Sequence, residues 1–197
     1  EKEKSAECLL LERQIKQSFK DLHVKGCAVD APTQTAQAKA IDVGIFEGGE
    51  KRKAIKELVE RIHRDNDTFR VGVIGARALF RVLCEGGYQD LALKLITQDA
   101  YPSYYYWIKL GYSTLGESFW ERRENSLFRK DGGEFGSMNH HFWGDISAFF
   151  YRYLAGIKID KPFTVDFKPC FVDEINNVKA HHKFSTGDFE VSYKKIG

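Results

Sequence analysis

The sequence predicts a mainly helical protein, built of antiparallel helix pairs, that ends in a small antiparallel β-domain. Apolar residues recur with the spacing of amphipathic helices over most of the first 156 residues. Short glycine-rich turns separate these segments, and no strand pattern lies between them. After Gly156 the apolar spacing changes to every second residue. We therefore predict a helical portion over residues 1–157 and a β-sheet portion over residues 158–197.

The first three helices are predicted from their apolar faces and end signals. Residues 5–22 form the first helix, and the second begins near Thr33 and ends at Gly48-Gly49. The third covers residues 50–65 and is a clear amphipathic surface helix. Its apolar residues at i, i+3, i+4 and i+7 are Ile55, Leu58, Val59 and Ile62.

Four more helices follow in the helical portion. The fourth ends at Gly86-Gly87, where two glycines stop a helix, and the fifth covers residues 89–98. The sixth is aromatic and runs from Tyr101 to Leu110, and the seventh opens at His140 or His141. Helix pairs of this kind fit an α/α toroid or a solenoid, and the lack of a fixed sequence period favours the toroid.

Two further stretches are not helical in their pattern. Residues 121–136 are polar, contain glycine and show no periodicity, which predicts a long loop. The last forty residues alternate apolar and polar side chains and predict strands of a small antiparallel sheet. The apolar positions of these strands are Phe163, Val165, Phe167, Val178, Ala180, Phe189, Val191 and Tyr193.

Composition narrows the range of partners. The 30 basic and 28 acidic residues are well mixed and give a formal charge of +2, so the sequence shows no electrostatic footprint for nucleic acid or an anionic membrane. No apolar run is long enough to span a membrane. We therefore expect a neutral partner, and the 14% share of aromatic residues fits either an ordinary core or a carbohydrate site.

The four cysteines form no Cys-x-x-Cys pair, so we predict buried free thiols rather than a zinc site or a disulfide scaffold. No secretory signal is visible in the sequence. Since the chain begins at Glu1 and not at methionine, it can be a piece of a longer protein, and both cytoplasm and periplasm stay open as its compartment.

Two polar clusters could carry chemistry. Glu117 follows Gly116 in an aromatic setting, where its carboxylate could act as a general base or be an ordinary surface glutamate. Asn139, His140 and His141 could bind a hydroxyl, ligate a metal or cap a helix. Adjacent histidines point in different directions on a helix, which disfavours the metal. We predict neither a metal nor a cofactor, and the glycines near residue 75 lack the pattern of a phosphate loop.

Several motifs occur in the order in which the bacterial α-L-rhamnosidase family of glycoside hydrolases has them, and the sequence resembles that family over nearly its whole length. The motifs are Thr33–Gln37, Val71–Gly75, Tyr88–Ala92, Tyr101–Tyr104, Ser113–Glu117 and Ser137–His140. Residues 158–197 are similar to the start of that family's C-terminal β-domain.

The resemblance implies part of an (α/α)6 toroid that hydrolyses terminal α-L-rhamnosides with inversion. It implies that Glu117 is the general base and that His140 binds the sugar. Asn139 is expected to contact the sugar beside His140. Tyr104 stands where the family usually has tryptophan and, with Trp107 and Trp143, is expected to line the sugar site.

The sequence departs from the family next to the proposed base. Gly116 stands where the family has tryptophan, and Ser118-Phe119 stand where it has Arg-Trp, so sugar specificity is open. The family's general acid lies in an upstream region with no counterpart in this sequence, and seven predicted helices are too few to close a twelve-helix toroid. We expect a fragment of a larger glycosidase that is inactive alone and able to self-associate. The alternative is a carbohydrate-binding or interaction module without catalysis.

Overall fold

The computed structural model describes residues 2–117, 139–162, 164–185 and 187–196. The predicted loop at 121–136, the departures at Ser118-Phe119, and Phe163 lie outside these residues. The described chain divides into two compact units, the first ending at Val82 and the second beginning at Leu83. The predicted division into residues 1–157 and 158–197 stays a prediction.

The predicted order of helices followed by strands is confirmed. The elements of the first unit are α1 Lys2–His23, β1 Val24–Lys25, β2 Ala28–Val29, α2 Gln34–Asp42, α3 Gly48–Arg64 and the start of α4 Val73–Glu85. Those of the second are α5 Gln89–Thr97, α6 Tyr104–Lys109, a 3₁₀ turn His141–Asp145, α7 Ile146–Ala148, a π-helical turn Phe149–Leu154, β3 Ile157–Lys161, β4 Thr164–Phe167, β5 Asn177–Phe184 and β6 Gly187–Lys194.

The core of the first unit lies between α2 and α3, as the apolar face of the third predicted helix requires. The side chains of Leu58 and Ile62 are wholly buried, and α2 contributes Ala38 and Ile41 to the same core. The rings of Phe69 and Phe80 stack with centroids 5.5 Å apart. Burial of apolar side chains of this size stabilises a fold by about 1.5–3 kcal/mol each.

Buried polar side chains of α2 and α3 hold the neighbouring loops. The Gln37 amide accepts from the Val29 N–H at 2.9 Å and donates to the Ala54 carbonyl at 3.0 Å. The Gln34 amide donates to the Thr68 carbonyl at 2.9 Å. Because buried polar groups need partners, these bonds fix both loops on the helices.

Three predictions for the first unit need correction. The strands β1 and β2 form a hairpin of two-residue strands around Gly26, and strands this short leave no periodicity to detect. Gly48 begins α3, whereas α2 ends at Asp42. The first helix forms, but none of its residues is buried, and Leu11 and Ile15 are more than half exposed.

In the second unit the sixth predicted helix starts later than expected, because Ser103 caps it. The Ser103 hydroxyl accepts from the Tyr106 N–H at 2.9 Å, so α6 begins at Tyr104. The seventh helix opens at His141 as predicted, but it changes from a 3₁₀ turn to an α-helical and then a π-helical turn. Helical periodicity in a sequence does not separate these three forms.

The strands form two antiparallel hairpins instead of the single sheet expected, as far as the described residues show. β3 pairs with β4, and β5 pairs with β6 from Asn177 opposite Lys194 to Phe184 opposite Gly187. Both hairpins contribute to one small core around Ala155, Ile157 and Val191. The alternating pattern that predicted strands therefore also predicted which faces are covered.

The cysteines are free, as predicted, but they are not uniformly buried. Cys84 is buried, Cys27 and Cys170 are half-buried, and Cys8 is exposed on α1. Burial raises the pKa of the Cys84 thiol, and the nearby Cys170 raises it further. Among the helices of the described residues, none has the length and apolar character that crossing a membrane requires.

Candidate functional site

Helix α6 is the element that places the aromatic residues of the predicted site. The Ser103 side chain is fully buried and donates from its hydroxyl to the Gln98 carbonyl at 2.6 Å. The same hydroxyl accepts from the Tyr106 N–H and so caps the helix. These two hydrogen bonds of Ser103 fix the start of α6. Tyr104 and Trp107 follow at positions i and i+3 of α6 and therefore share one face.

Tyr104 and Trp107 pack with Trp143 into a compact cluster of three rings. The ring centroids are 5.8 Å apart for Tyr104 and Trp107, 6.1 Å for Tyr104 and Trp143, and 5.8 Å for Trp107 and Trp143. All three pairs meet edge to face, an arrangement that aromatic rings favour. Trp107 and Trp143 meet although 36 positions separate them in the sequence (143 − 107).

The three rings are buried, with 8%, 3% and 2% of Tyr104, Trp107 and Trp143 exposed. Each ring is therefore enclosed in the fold, and the other two rings are among its contacts. Their predicted role as direct sugar contacts stays a prediction.

Two hydrogen bonds join the segment of Glu117 to the segment of His140. The His140 N–H donates to the Leu115 carbonyl at 2.7 Å. The Trp143 indole N–H donates to the Glu117 carbonyl at 3.0 Å. The two polar clusters that the sequence singled out are thus adjacent at the main chain.

The predicted base and sugar-binding residues are accessible at this junction. Glu117 and Asn139 are exposed, and His140 is half-buried. By contrast, Gly116 is buried, so the glycine that precedes Glu117 lies inside the fold. A carboxylate at the surface directly beside a buried main chain can be both held in place and reached by solvent.

Two residues of this region were not predicted from the sequence. Phe142 is 60% exposed, and its ring stacks on His141 at 4.5 Å and lies 5.3 Å from His140. Asp145 is half-buried in the same 3₁₀ turn. Their place within five residues of His140 was the only signal in the sequence.

The Tyr104 hydroxyl is held in an apolar setting beneath this junction. It donates to the Trp143 carbonyl at 3.1 Å. Burial raises the pKa of Tyr104, and the Asp145 carboxylate raises it further. Tyr104 is therefore a neutral hydrogen-bond donor near neutral pH.

A metal centre finds no support in the part of the chain that the structure describes. No group of three or more His, Cys, Asp or Glu side chains lies close enough together there to hold an ion.

Solved structures define the class of protein to which this fold corresponds. The chain matches a Streptomyces avermitilis α-L-rhamnosidase solved with L-rhamnose at a TM-score of 0.85 and 23% identity, over 97% of this chain and 19% of that one. It matches the α-L-rhamnosidase of Dictyoglumus thermophilum at a TM-score of 0.83 and 26% identity, over 93% of this chain and 20% of that one. The fold is that of the six-hairpin glycosidases, which confirms the fold class that the resemblance implied.

The family itself is shown by sequence. The sequence model of the bacterial alpha-L-rhamnosidase 6 hairpin glycosidase domain matches residues 2–154, and the chain belongs to this family. An α-L-rhamnosidase of Formosa agariphila is 30% identical over 161 residues, which are 79% of this chain and 17% of that protein. One from Alteromonas sp. is 30% identical over 169 residues, 82% of this chain and 18% of that protein. The chain thus spans less than a fifth of the length of these relatives.

Proposed function

We propose that this chain is the part of a glycoside hydrolase that carries the general base for inverting hydrolysis of terminal α-L-rhamnosides. Glu117 is the proposed base. The observation that supports this role is the junction at which the segment of an exposed Glu117 meets the His140 turn, through hydrogen bonds to the main-chain carbonyls of Leu115 and Glu117. Membership of the α-L-rhamnosidase family supports the reaction class.

In the proposed reaction, the Glu117 carboxylate takes a proton from a water molecule. The water oxygen then forms a bond to the anomeric carbon as the bond from that carbon to the leaving oxygen breaks. An inverting enzyme needs a second carboxyl group, roughly 6.5–9.5 Å from the first, to protonate the leaving oxygen. We propose that this acid comes from residues outside the 197 of this chain, since its relatives are about five times longer.

The residues around the base are proposed to hold the sugar. His140 and Asn139 can hydrogen-bond ring hydroxyls, and the exposed Phe142 ring offers a flat apolar surface of the kind that sugars contact. Tyr104, Trp107 and Trp143 lie beneath these groups in the proposal. No cofactor enters this mechanism.

The role of Glu117 is tested by Glu117→Gln in the full-length protein that carries this chain, with an aryl α-L-rhamnoside as substrate. Loss of a general base lowers kcat by on the order of 10²–10⁴-fold while sugar binding is retained. The matched control is Glu174→Gln, which changes another exposed glutamate of the same unit and leaves the rate unchanged. Equal effects of the two substitutions would refute the assignment.

The location of the acid is tested with the 197-residue chain alone. We expect this chain to show no turnover. A separate test concerns His140: in the full-length protein, His140→Ala is expected to raise KM as well as lower kcat/KM. Robust hydrolysis by the chain alone, abolished by Glu117→Gln, would place the acid within it. Binding of L-rhamnose without turnover in any length of the protein would favour the non-catalytic carbohydrate-binding module instead.

A further inference from the structure

A chain of hydrogen bonds runs from the buried ring cluster to the residue proposed as the base. The Tyr104 hydroxyl donates to the main-chain carbonyl of Trp143 at 3.1 Å. The side chain of the same Trp143 donates from its indole nitrogen to the carbonyl of Glu117 at 3.0 Å. Both donors belong to side chains that are more than nine-tenths buried.

We propose that Trp143 is a positioning residue, which acts on the reaction by fixing the main chain of Glu117, and that Tyr104 holds Trp143 in place for this purpose. The inference rests on the proposed function, because it assigns a role relative to the proposed base. It differs from the sequence prediction, in which both residues contact the sugar directly.

Glu117 lies in a short non-helical segment. The carbonyl carbon and the side chain of Glu117 are both bonded to its Cα atom. A hydrogen bond that fixes the carbonyl therefore restricts the direction in which the carboxylate can point. A catalytic group must be held to within about 0.5 Å of its working position. A displacement of about 1 Å can cost on the order of 10²-fold in rate.

Burial makes the Trp143 bond suitable for this task. Only 2% of Trp143 is exposed, so water competes little for its indole N–H, and a hydrogen bond in such a setting is stronger than one in water. The ring is held by edge-to-face contacts with Tyr104 and Trp107, so the donor itself cannot swing away. A rigid buried group therefore supports an exposed, reactive one.

Further contacts hold the same segment in register. The His140 N–H donates to the Leu115 carbonyl at 2.7 Å, two residues before Glu117. The Leu115 side chain also lies close to Gly144, where an added Cβ would be 3.9 Å from its Cδ1 atom. The segment thus has hydrogen bonds to the 3₁₀ turn region at two of its residues, and the Trp143 bond ends on Glu117 itself.

The variants that test this proposal remove single donors and keep an aromatic ring at each position. Trp143→Phe removes the indole N–H, and Tyr104→Phe removes the hydroxyl that holds the Trp143 carbonyl. Trp107→Phe is the matched control, since it trims a ring of the same cluster whose centroid is 5.8 Å from those of both partners. Trp143→Phe and Trp107→Phe make the same change of ring, so their packing losses are comparable, whereas Tyr104→Phe removes a single oxygen atom.

The first readout is hydrogen–deuterium exchange of residues 111–117 in the 197-residue chain, which needs no activity. We expect Trp143→Phe to speed exchange in this segment by more than tenfold, Tyr104→Phe to do so by a smaller factor, and Trp107→Phe to leave it within about twofold. If the segment exchanges equally fast in Trp143→Phe and Trp107→Phe, Trp143 has no special hold on it and the proposal is overturned. Should Trp143→Phe fail to fold, the Tyr104→Phe and Trp107→Phe pair decides by the same criterion.

The second readout is the rate of the full-length protein on an aryl α-L-rhamnoside. Trp143→Phe is expected to lower kcat by about 10–100-fold with KM within about twofold. A purely structural role predicts that kcat and KM change together in Trp143→Phe, and that result would overturn the proposal. If Glu117→Gln leaves the rate unchanged, the proposed function fails, whereas the exchange result still decides whether Trp143 holds the segment.

Discussion

Arg61 holds the loops of the first unit from the buried side of α3, and its replacement by methionine should destabilise the chain severely. Its guanidinium donates to the carbonyls of Val29 at 2.9 Å and Thr33 at 3.1 Å, and also to that of Ala31. Its Nε donates to Glu57 at 2.9 Å. Only 5% of Arg61 is exposed, so in the Arg61→Met variant these acceptors lose a buried, charged donor.

The expected loss follows from these contacts. An acceptor left unpaired in the interior costs about 1–3 kcal/mol, so three carbonyls give roughly 3–9 kcal/mol as an upper range. Water can reach part of the loop once the side chain is gone, which brings the expected value to about 3–5 kcal/mol, the usual result of breaking a buried ionic contact. Methionine keeps most of the apolar stem, so little of this loss comes from packing.

Arg64→Met is the matched control. Arg64 bonds the same Glu57 oxygen at 3.1 Å, but 63% of its side chain is exposed. Exposed ion pairs contribute about 0–1 kcal/mol. With a slope of about 2 kcal/mol per molar urea, the unfolding midpoint followed by far-UV circular dichroism should fall by roughly 1.5–2.5 M for Arg61→Met and by less than about 0.5 M for Arg64→Met. Equal shifts for the two variants would refute the reasoning.

The pH dependence gives a second check on the same contact. Burial acts to raise the pKa of Glu57, but hydrogen bonds and charges from Arg61 and Arg64 outweigh it and hold the pKa below its ordinary value of 4.5. Because the pKa is lower in the folded state, Glu57 stabilises the fold above pH 4.5 and loses this effect as the pH falls through the lowered value. The difference in unfolding free energy between wild type and Arg61→Met should therefore become smaller as the pH falls below 4.5. A difference that does not change with pH would show that the charge of Glu57 contributes nothing to the effect of Arg61.

Two further predictions concern a glycine and an exposed helix face. Gly156 has a φ of +74°, and an added Cβ would lie only 2.6 Å from the Cα atom of Pro169. Gly156→Ala should therefore lower the free energy of unfolding, measured in urea, by about 3 kcal/mol or more. Gly111→Ala is the control, with an expected cost of about 1 kcal/mol, because Gly111 has a similar φ of +81° but open space around it. A similar cost for both would show that the clash relaxes freely. The chain should self-associate in light scattering through the exposed face of α1, and Leu11→Glu with Ile15→Glu should reduce the measured mass. A wild-type chain that is monomeric at high concentration would contradict this.

The candidate site illustrates how far local patterns reach. The motifs around Glu117 and His140 identified the two polar clusters because those residue types, in that order, are specific. No periodicity could indicate that the Trp143 indole bonds the Glu117 carbonyl, since such a bond depends on where the main chain returns after more than twenty residues. Phe142 was missed for a related reason, because an exposed phenylalanine and a buried one look alike in a sequence.

The sequence by itself determined the helical character of the first portion, the change to strands after Gly156 and the family, because these depend on periodicity and on motifs that are local in the chain. The apolar face of α3 packs as its spacing requires, so Leu58 and Ile62 are buried. Only the tertiary structure decided that the similar pattern of α1 stays exposed, that Gly48 begins a helix, and that Arg61 and Trp143 bond carbonyls far along the chain. The physical reason is that burial and hydrogen bonding across long sequence separations depend on which segments meet, and no single segment carries that information.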